Sequence, residues 1–231
     1  MSGKDITLWW GDGSPPCWSI QVALEEKQIQ DYTSNKRSFD NKDNKSAEIL
    51  AINPRGELPC FRVGDVMINE SLAACLYLEE AYSNQGTALM PRDVTERAMV
   101  WQKVSEFYWN FPRRGYKNLV RYIWWTPKDE LDAKRIAAAK EEFLVELQIW
   151  EAYLKNKTSC KFLVGDSLTI ADVVAYPWMA FLFRFGLKLR PRFECLAEYC
   201  DHMKEWPSMK KFYPQHWDGS PASGGDVLTD L

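Results

Sequence analysis

The apolar pattern of this 231-residue chain changes period once, near residue 90, and that change limits the folds open to it. Before it, short runs alternate between the strand and helix periods. "ITLWW" (residues 6–10) reads as a strand, with a turn at residues 11–13. "PPCWSIQVALEEKQI" then sets Trp18, Ile20, Val22, Ala23 and Leu24 close to one helical face. Proline suits its first turn, where the missing N–H would have no partner anyway. "DYTSNKRSF" reads as a second strand and "KSAEILAINP" as a short helix stopped by Pro54. "PCFRVG" and "VMIN" form a hairpin around Gly64 and Asp65, and "ESLAACLYLEEAYS" is a strong helix. The order is β-α-β-α-β-β-α. The right-handed crossover rule makes the first two strands parallel and leaves the hairpin antiparallel beyond them.

From Val94 onward no strand pattern persists. "VTERAMVWQKVSEFYWNF", "ELDAKRIAAAKEEFLVELQIWEAYLKN", "TIADVVAYPWMAFLFRFG" and "ECLAEYCDHMKEWPSMKKFY" each read as a helix. The expected class is α+β. A mixed domain spans residues 1–83, a polar linker 84–94, an all-helical domain 95–217 and a frayed tail 218–231.

Several function classes are excluded early. A net charge of −3 argues against a nucleic-acid partner, which needs a basic face to neutralise phosphates. No apolar run approaches the roughly 20 residues of a membrane span. "MSGKDITLWW" lacks the features of a signal peptide, and six cysteines without a framework suit reduced thiols in a cytoplasm. Cys195, Cys200, His202 and His216 match no zinc spacing, so no metal is expected. Eleven Trp, ten Tyr and eleven Phe are the unusual quantity, and many fall in "WQKVSEFYWNFPRRGYKNLVRYIWW".

Four short stretches carry candidate chemistry. In "GDGSPPCW" the spacing is that of Cys-x-x-Cys with serine in the first position. A hydroxyl on Ser14, at a helix N-terminus whose dipole favours negative charge, suits a thiolate; it equally suits a plain N-cap. In "NPRGELP" (residues 53–59), Pro59 begins a strand. It is either a cis proline that turns the main chain of Leu58 toward a ligand, or an ordinary proline at a strand's first residue. Glu70 and Ser71, where a strand gives way to a helix, are either cap residues or partners for a ligand's ammonium and carboxylate. Thr169 and Asp172 form a capping box before an apolar helix, a structural device.

In this order and register the four stretches resemble the cytosolic glutathione transferases over nearly the whole chain. "LWWGDGSPPCW", "KSAEILAINPRGELP" and "NESLAACLYLE" are most similar to the rho class, one of the serine-type classes related to theta, zeta and delta. The resemblance implies a thioredoxin-like N-terminal domain, an all-helical C-terminal domain, a homodimer, a cytoplasmic location and a role in xenobiotic detoxification. Glutathione enters as co-substrate, with no further cofactor. Ser14 would hydrogen-bond the glutathione sulfur, and Leu58 beside a cis Pro59 would pair with its cysteinyl part. Glu70 and Ser71 would hold the γ-glutamyl end, and Lys45 with Arg55 would face the glycine carboxylate. Insect relatives often carry histidines near positions 44 and 56, where this chain has Asn44 and Gly56.

Because glutathione supplies its own cysteine, the first thiol of Cys-x-x-Cys becomes dispensable, and Cys17 is expected to point into the domain. For a hydrophobic electrophile, Trp101, Glu106, Phe107, Trp109, Phe111, Tyr116 and Tyr122 are the candidate lining, with about half of them expected in the core. Two other functions stay open. A glutathione-dependent disulfide oxidoreductase would need a cysteine at position 14. A non-catalytic carrier of apolar ligands would keep the same glutathione site.

Overall fold

The computed structural model describes residues 5–217 and 225–231, which fall into two compact units. The first runs to Met90 and also takes in Pro207–Pro214. It is built on a four-stranded sheet of β1 (Ile6–Gly11), β2 (Thr33–Arg37), β3 (Cys60–Val63) and β4 (Val66–Ile68), in the order β2-β1-β3-β4. As the crossover argument requires, β1 and β2 are parallel (Leu8 opposite Ser34), whereas β1 with β3 (Trp9 opposite Cys60) and β3 with β4 are antiparallel. Helix α1 (Pro15–Glu26) buries Cys17, Trp18, Ile20, Val22, Ala23 and Leu24, and packs on α3 (Ser71–Ala81). A short α2 (Ala47–Ile52) is capped by the Ser46 hydroxyl.

The stretch 84–94, read as a linker, is anchored up to Met90. Glu79 forms an ion pair with the fully buried Lys27, and its carboxylate accepts from the main-chain N–H of Leu89 (3.0 Å) and Met90 (3.2 Å). Burying both charges is tolerable because each carboxylate oxygen has a donor. The stretch "ECLAEYCDHMKEWPSMKKFY" is not one helix. Pro207 has no N–H to continue the ladder, and the run splits into α8 (Glu194–Glu205) and α9 (Pro207–Lys211). Thus α9 belongs with the first unit, not with the helical domain. Met209 is buried there, and Ser208 donates to the carboxylate of Glu26 at 2.6 Å.

The second unit is helical: α4 (Val94–Phe111), α5 (Arg121–Trp125), α6 (Ala133–Lys155), α7 (Ile170–Phe183) and α8. Between α4 and α5 the segment Pro112–Val120 winds as a π-helix. Gly115 lies in it, and a Cβ there would come within 2.8 Å of the Phe143 ring and 2.9 Å of Leu182, so only glycine admits this approach of main chain to core. Phe107, Phe111, Phe143 and Trp150 form one aromatic core with centroid separations of 4.7–5.5 Å. The tail also departs from expectation. Residues 218–224 lie outside the described residues, but beyond them Leu228 is fully buried and its N–H donates to the Phe185 carbonyl at 2.8 Å. Residues 225–231 are therefore docked and not frayed.

The capping box holds α7. The Asp172 carboxylate accepts from the N–H of Leu163 (2.8 Å) and from the N–H and hydroxyl of Thr169 (2.9 Å each). Burial is the largest influence on this carboxyl and pushes it up to about 6, against those hydrogen bonds and nearby Lys157. A carboxyl raised on folding holds its proton more tightly in the native state. Its contribution to stability is therefore greatest below the unfolded value of 3.8 and is lost as pH rises through about 6. The prediction is that the stability of the wild type relative to Asp172→Asn, measured by urea unfolding, declines between pH 4 and 6. A difference independent of pH would contradict this.

Candidate functional site

The site grows from the β1–α1 turn. Ser14 is the N-cap of α1, with extended main chain (φ −93°, ψ 115°), and is half-buried. Its hydroxyl makes no capping hydrogen bond. The next two residues, Pro15 and Pro16, have no N–H, and the Ser14 N–H is turned back to the Gly11 carbonyl at 3.4 Å. A helix end of this kind has few main-chain donors left, so the Ser14 side chain becomes its main hydrogen-bond donor.

Cys17, three residues on, is buried at 1% exposure. Burial pushes its thiol up to about 12, moderated by hydrogen bonds to the sulfur from the Ser14 hydroxyl and the Gly11 N–H, the latter at 3.4 Å. It stays a thiol at neutral pH, in the core, as the sequence suggests.

Leu58–Pro59 is a cis peptide. The Leu58 side chain packs in one apolar cluster with Trp9, Cys17, Ile49 and Cys60, which brings this loop beside the start of α1. Among the described residues no turn or loop hydrogen bond uses the Leu58 main chain. The loop is braced by Asn53, which is 1% exposed: its Oδ1 accepts from the Arg55 N–H (3.2 Å) and its Nδ2 donates to the Glu57 carbonyl (2.8 Å). Asn69 ties the β4–α3 junction to the same region, donating to the Ile52 carbonyl at 2.8 Å. These two asparagines hold the loop in place and are not among the residues singled out from the sequence. The signal for Asn53 was the Asn-Pro dipeptide, an Asx-type turn former.

Glu70 is the N-cap of α3, yet its carboxylate makes no capping bond and is exposed. Among the described residues it enters no ion pair either. Ser71 beside it is buried. Lys45 and Arg55 are both exposed, and the Lys45 ammonium donates to the Arg55 carbonyl at 2.9 Å. The departures at 44 and 56 have a structural reason. Asn44 donates to the Gly56 carbonyl at 3.0 Å, and Gly56 has φ +58° with Lys45 Cδ only 2.8 Å from a Cβ position. A histidine at 56 would be strained and crowded in this loop.

The aromatic candidates lie in the second unit and divide. Phe107 and Phe111 are 1% and 0% exposed, so both are corrected from substrate lining to core. Helical spacing puts them on the face shared with Val100 and Val104. Trp101 (39%) and Trp109 (78%) lie on the exposed face. Tyr116 is half-buried against Trp178 and Phe181, with centroids at 5.6 and 5.4 Å. Tyr122 lies under the Arg135 guanidinium (3.8 Å), and its hydroxyl accepts from the Asp132 N–H at 3.1 Å.

Glu106 is committed to a polar network with Gln102 (2.8 Å), Lys103 (3.0 Å) and Tyr153 (3.1 Å). Desolvation is the largest single influence on it and pushes its carboxyl up, but those partners together bring it below the ordinary carboxylate range. It borders a small cleft of about 180 Å³ with Arg114, Glu146 and Trp150. Among the described residues no cluster of His, Cys, Asp and Glu could hold a metal ion, and no helix is long and apolar enough to cross a membrane. Cys200 is buried with Met179 at 3.6 Å, and His202 packs against the rings of Phe162 and Trp206.

Comparison with known proteins agrees with this arrangement. Residues 13–81 match the family model "Glutathione S-transferase, N-terminal domain", and residues 118–207 match "Glutathione S-transferase, C-terminal domain". Glutathione S-transferase A of Pleuronectes platessa is 42% identical over 228 residues, covering 99% of each chain. The crystal structure of a glutathione S-transferase from the Antarctic clam Laternula elliptica superposes with a TM-score of 0.87 at 38% identity, covering 98% of this chain and 99% of that one. Ure2p in complex with glutathione shares the fold at 19% identity, with a TM-score of 0.79 over 91% of this chain and 99% of that one. With both domain models matched in order and a full-length relative at 42% identity, this chain belongs to the glutathione S-transferase family.

Proposed function

We propose that the chain is a serine-type transferase that activates the thiol of glutathione through Ser14 and adds it to hydrophobic electrophiles, a detoxification role in the cytoplasm. The carrying observation is the Ser14 hydroxyl: it starts a helix without capping it, ahead of two prolines that cannot donate. On this reading the hydroxyl exchanges its hydrogen bond to the Cys17 sulfur for one to the glutathione sulfur and holds the latter as thiolate. The proton leaves to solvent, the sulfur bonds to the electrophilic carbon, and the leaving group departs with its electron pair. No covalent enzyme intermediate is formed, and the gain comes from ionisation and proximity.

The Leu58 main chain pairs with the cysteinyl part of the tripeptide. Glu70 takes the γ-glutamyl ammonium, Ser71 its carboxylate, and Lys45 with Arg55 the glycine carboxylate. Glutathione is the co-substrate and no further cofactor is assigned. Trp101, Trp109, Tyr116 and Tyr122, with Glu106 at the edge, remain the electrophile-facing candidates. The rho-class likeness belongs to this proposal. An oxidoreductase reading is disfavoured because Cys17 is a buried, protonated thiol with no cysteine at position 14.

Free thiols titrate near 8.5, so useful ionisation at neutral pH needs a lowering of roughly two units, or about 2.7 kcal/mol. A hydrogen bond to a charged sulfur supplies roughly 1.5–3 kcal/mol. The helix end supplies about 0.3–1. Ser14→Ala is therefore expected to lower conjugation of a general aryl halide at pH 7 by on the order of 10–100-fold. Cys17→Ala is expected to keep most of the activity. Silence of the first variant with loss in the second would assign the site to redox chemistry, and glutathione binding without conjugation in the wild type would assign it to a carrier. Glu70→Ala should weaken glutathione binding by roughly 1.5–3 kcal/mol in calorimetry, as expected for loss of a charged hydrogen-bond partner; an unchanged Kd would remove Glu70 from the site.

The exposed apolar residues Val94 (77%) and Met99 (43%) on α4 support a homodimer. Light scattering at micromolar concentration is expected to give twice the 26.9 kDa of the monomer, and a monomer mass would refute the dimer.

A further inference from the structure

Cys195 is half-buried, whereas the other five cysteines of the chain are buried. It is also the second residue of α8, and its N–H and that of Leu196 donate to the two carboxylate oxygens of Glu151 at 3.1 and 2.8 Å. Cys160, in the loop after α6, directs its sulfur to the Leu154 carbonyl at 3.9 Å. Glu151 and Leu154 lie three residues apart on α6, one turn and about 4.5 Å along its axis. Two cysteines distant in sequence are thus suspended from the same turn of one helix, and the Cys160 thiol also donates toward the Cys195 sulfur.

We propose that Cys160 and Cys195 are a latent dithiol that closes to a reversible disulfide when a hydroperoxide is present, joining the α6–α7 loop to the start of α8. The step balances as a two-electron oxidation. The Cys195 thiol gives up its proton as its sulfur attacks the peroxide, the O–O bond breaks to leave a sulfenic acid, and the departing hydroxide or alkoxide takes up that proton as water or alcohol. The Cys160 sulfur then attacks the sulfenyl sulfur, and the S–O bond breaks. The departing hydroxide leaves as water with the Cys160 proton. The order of attack follows from access. Burial, together with the Cys195 hydrogen bond and the charges of Glu198 and Glu151, pushes the Cys160 thiol up to about 12. That group resolves and does not initiate. A thiol such as reduced glutathione reverses the bond by exchange. The disulfide constrains the loop that carries Leu163, whose N–H serves the α7 capping box, so it is expected to stabilise the helical unit.

The test is independent of the glutathione site. Full-length protein is treated with a modest excess of hydrogen peroxide, alkylated, digested and mapped by mass spectrometry. The expected result is a peptide pair joined through Cys160 and Cys195, reversed by dithiothreitol and accompanied by a rise in Tm of several degrees. Cys160→Ser should leave Cys195 as a sulfenic acid trapped by a dimedone probe, at a yield well above that in the wild type. Recovery of both residues as free thiols overturns the proposal. So does over-oxidised Cys195 beside reduced Cys160, or equal trapping in wild type and Cys160→Ser.

Discussion

The packing of Cys17 against Trp9, Leu58 and Cys60 is the contact on which the site depends. It fixes where α1 begins relative to β1, and it sets the cis loop beside that beginning. With the Cys17 sulfur held by the Gly11 N–H in the interior, the residue three positions earlier is left at the helix mouth. Serine there has a hydroxyl that makes no capping bond and donates to the Cys17 sulfur. Pro15 and Pro16 lock φ and remove two donors in the same stroke, so the local field of the helix end is expressed mainly through one side chain. A buried thiol that orders the turn and a half-buried hydroxyl bonded to it divide between them what a dithiol motif would combine.

Among the described residues the buried charges of both units are answered by donors or acceptors, several of them from a distant part of the chain. Glu79 answers Lys27 and two main-chain N–H groups. In the helical unit the 3%-exposed Glu146 accepts from Trp150 Nε1 (2.7 Å) and from Arg114 (2.8 Å), while burial, its largest influence, still pushes its carboxyl up. Lys103, also buried, lies 3.0 Å from the centroid of the Tyr153 ring while paired with Glu106. Removing one partner from such a set leaves an uncompensated charge, which costs more than the pair contributes.

Much of this was legible in the chain, and for identifiable reasons. Strand and helix periods, the Gly64 turn and the four stretches around Ser14, Pro59, Glu70 and Asp172 depend on local chemistry, which a sequence displays directly. The unread parts depend on what lies across space. Phe107 and Phe111 look like Trp101 and Trp109 in a stretch where nearly everything is aromatic, and only packing against Phe143 and Trp150 separates them. The π-helical Pro112–Val120 has a period that a 3.6-residue template cannot register, and its necessity is visible only where Gly115 meets Phe143 and Leu182. Docking of Leu228 on Phe185 follows the same pattern. The break at Pro207 was available from proline chemistry alone.

The central claim is that one hydroxyl, more than the helix end, sets the ionisation of the bound sulfur. The direct measurement is an ultraviolet titration of the thiolate of glutathione bound to the wild type and to Ser14→Ala at saturating ligand. The account predicts a bound thiol about two units below the free value of roughly 8.5 in the wild type, returning most of the way in the variant. The same depressed value in both proteins would contradict it.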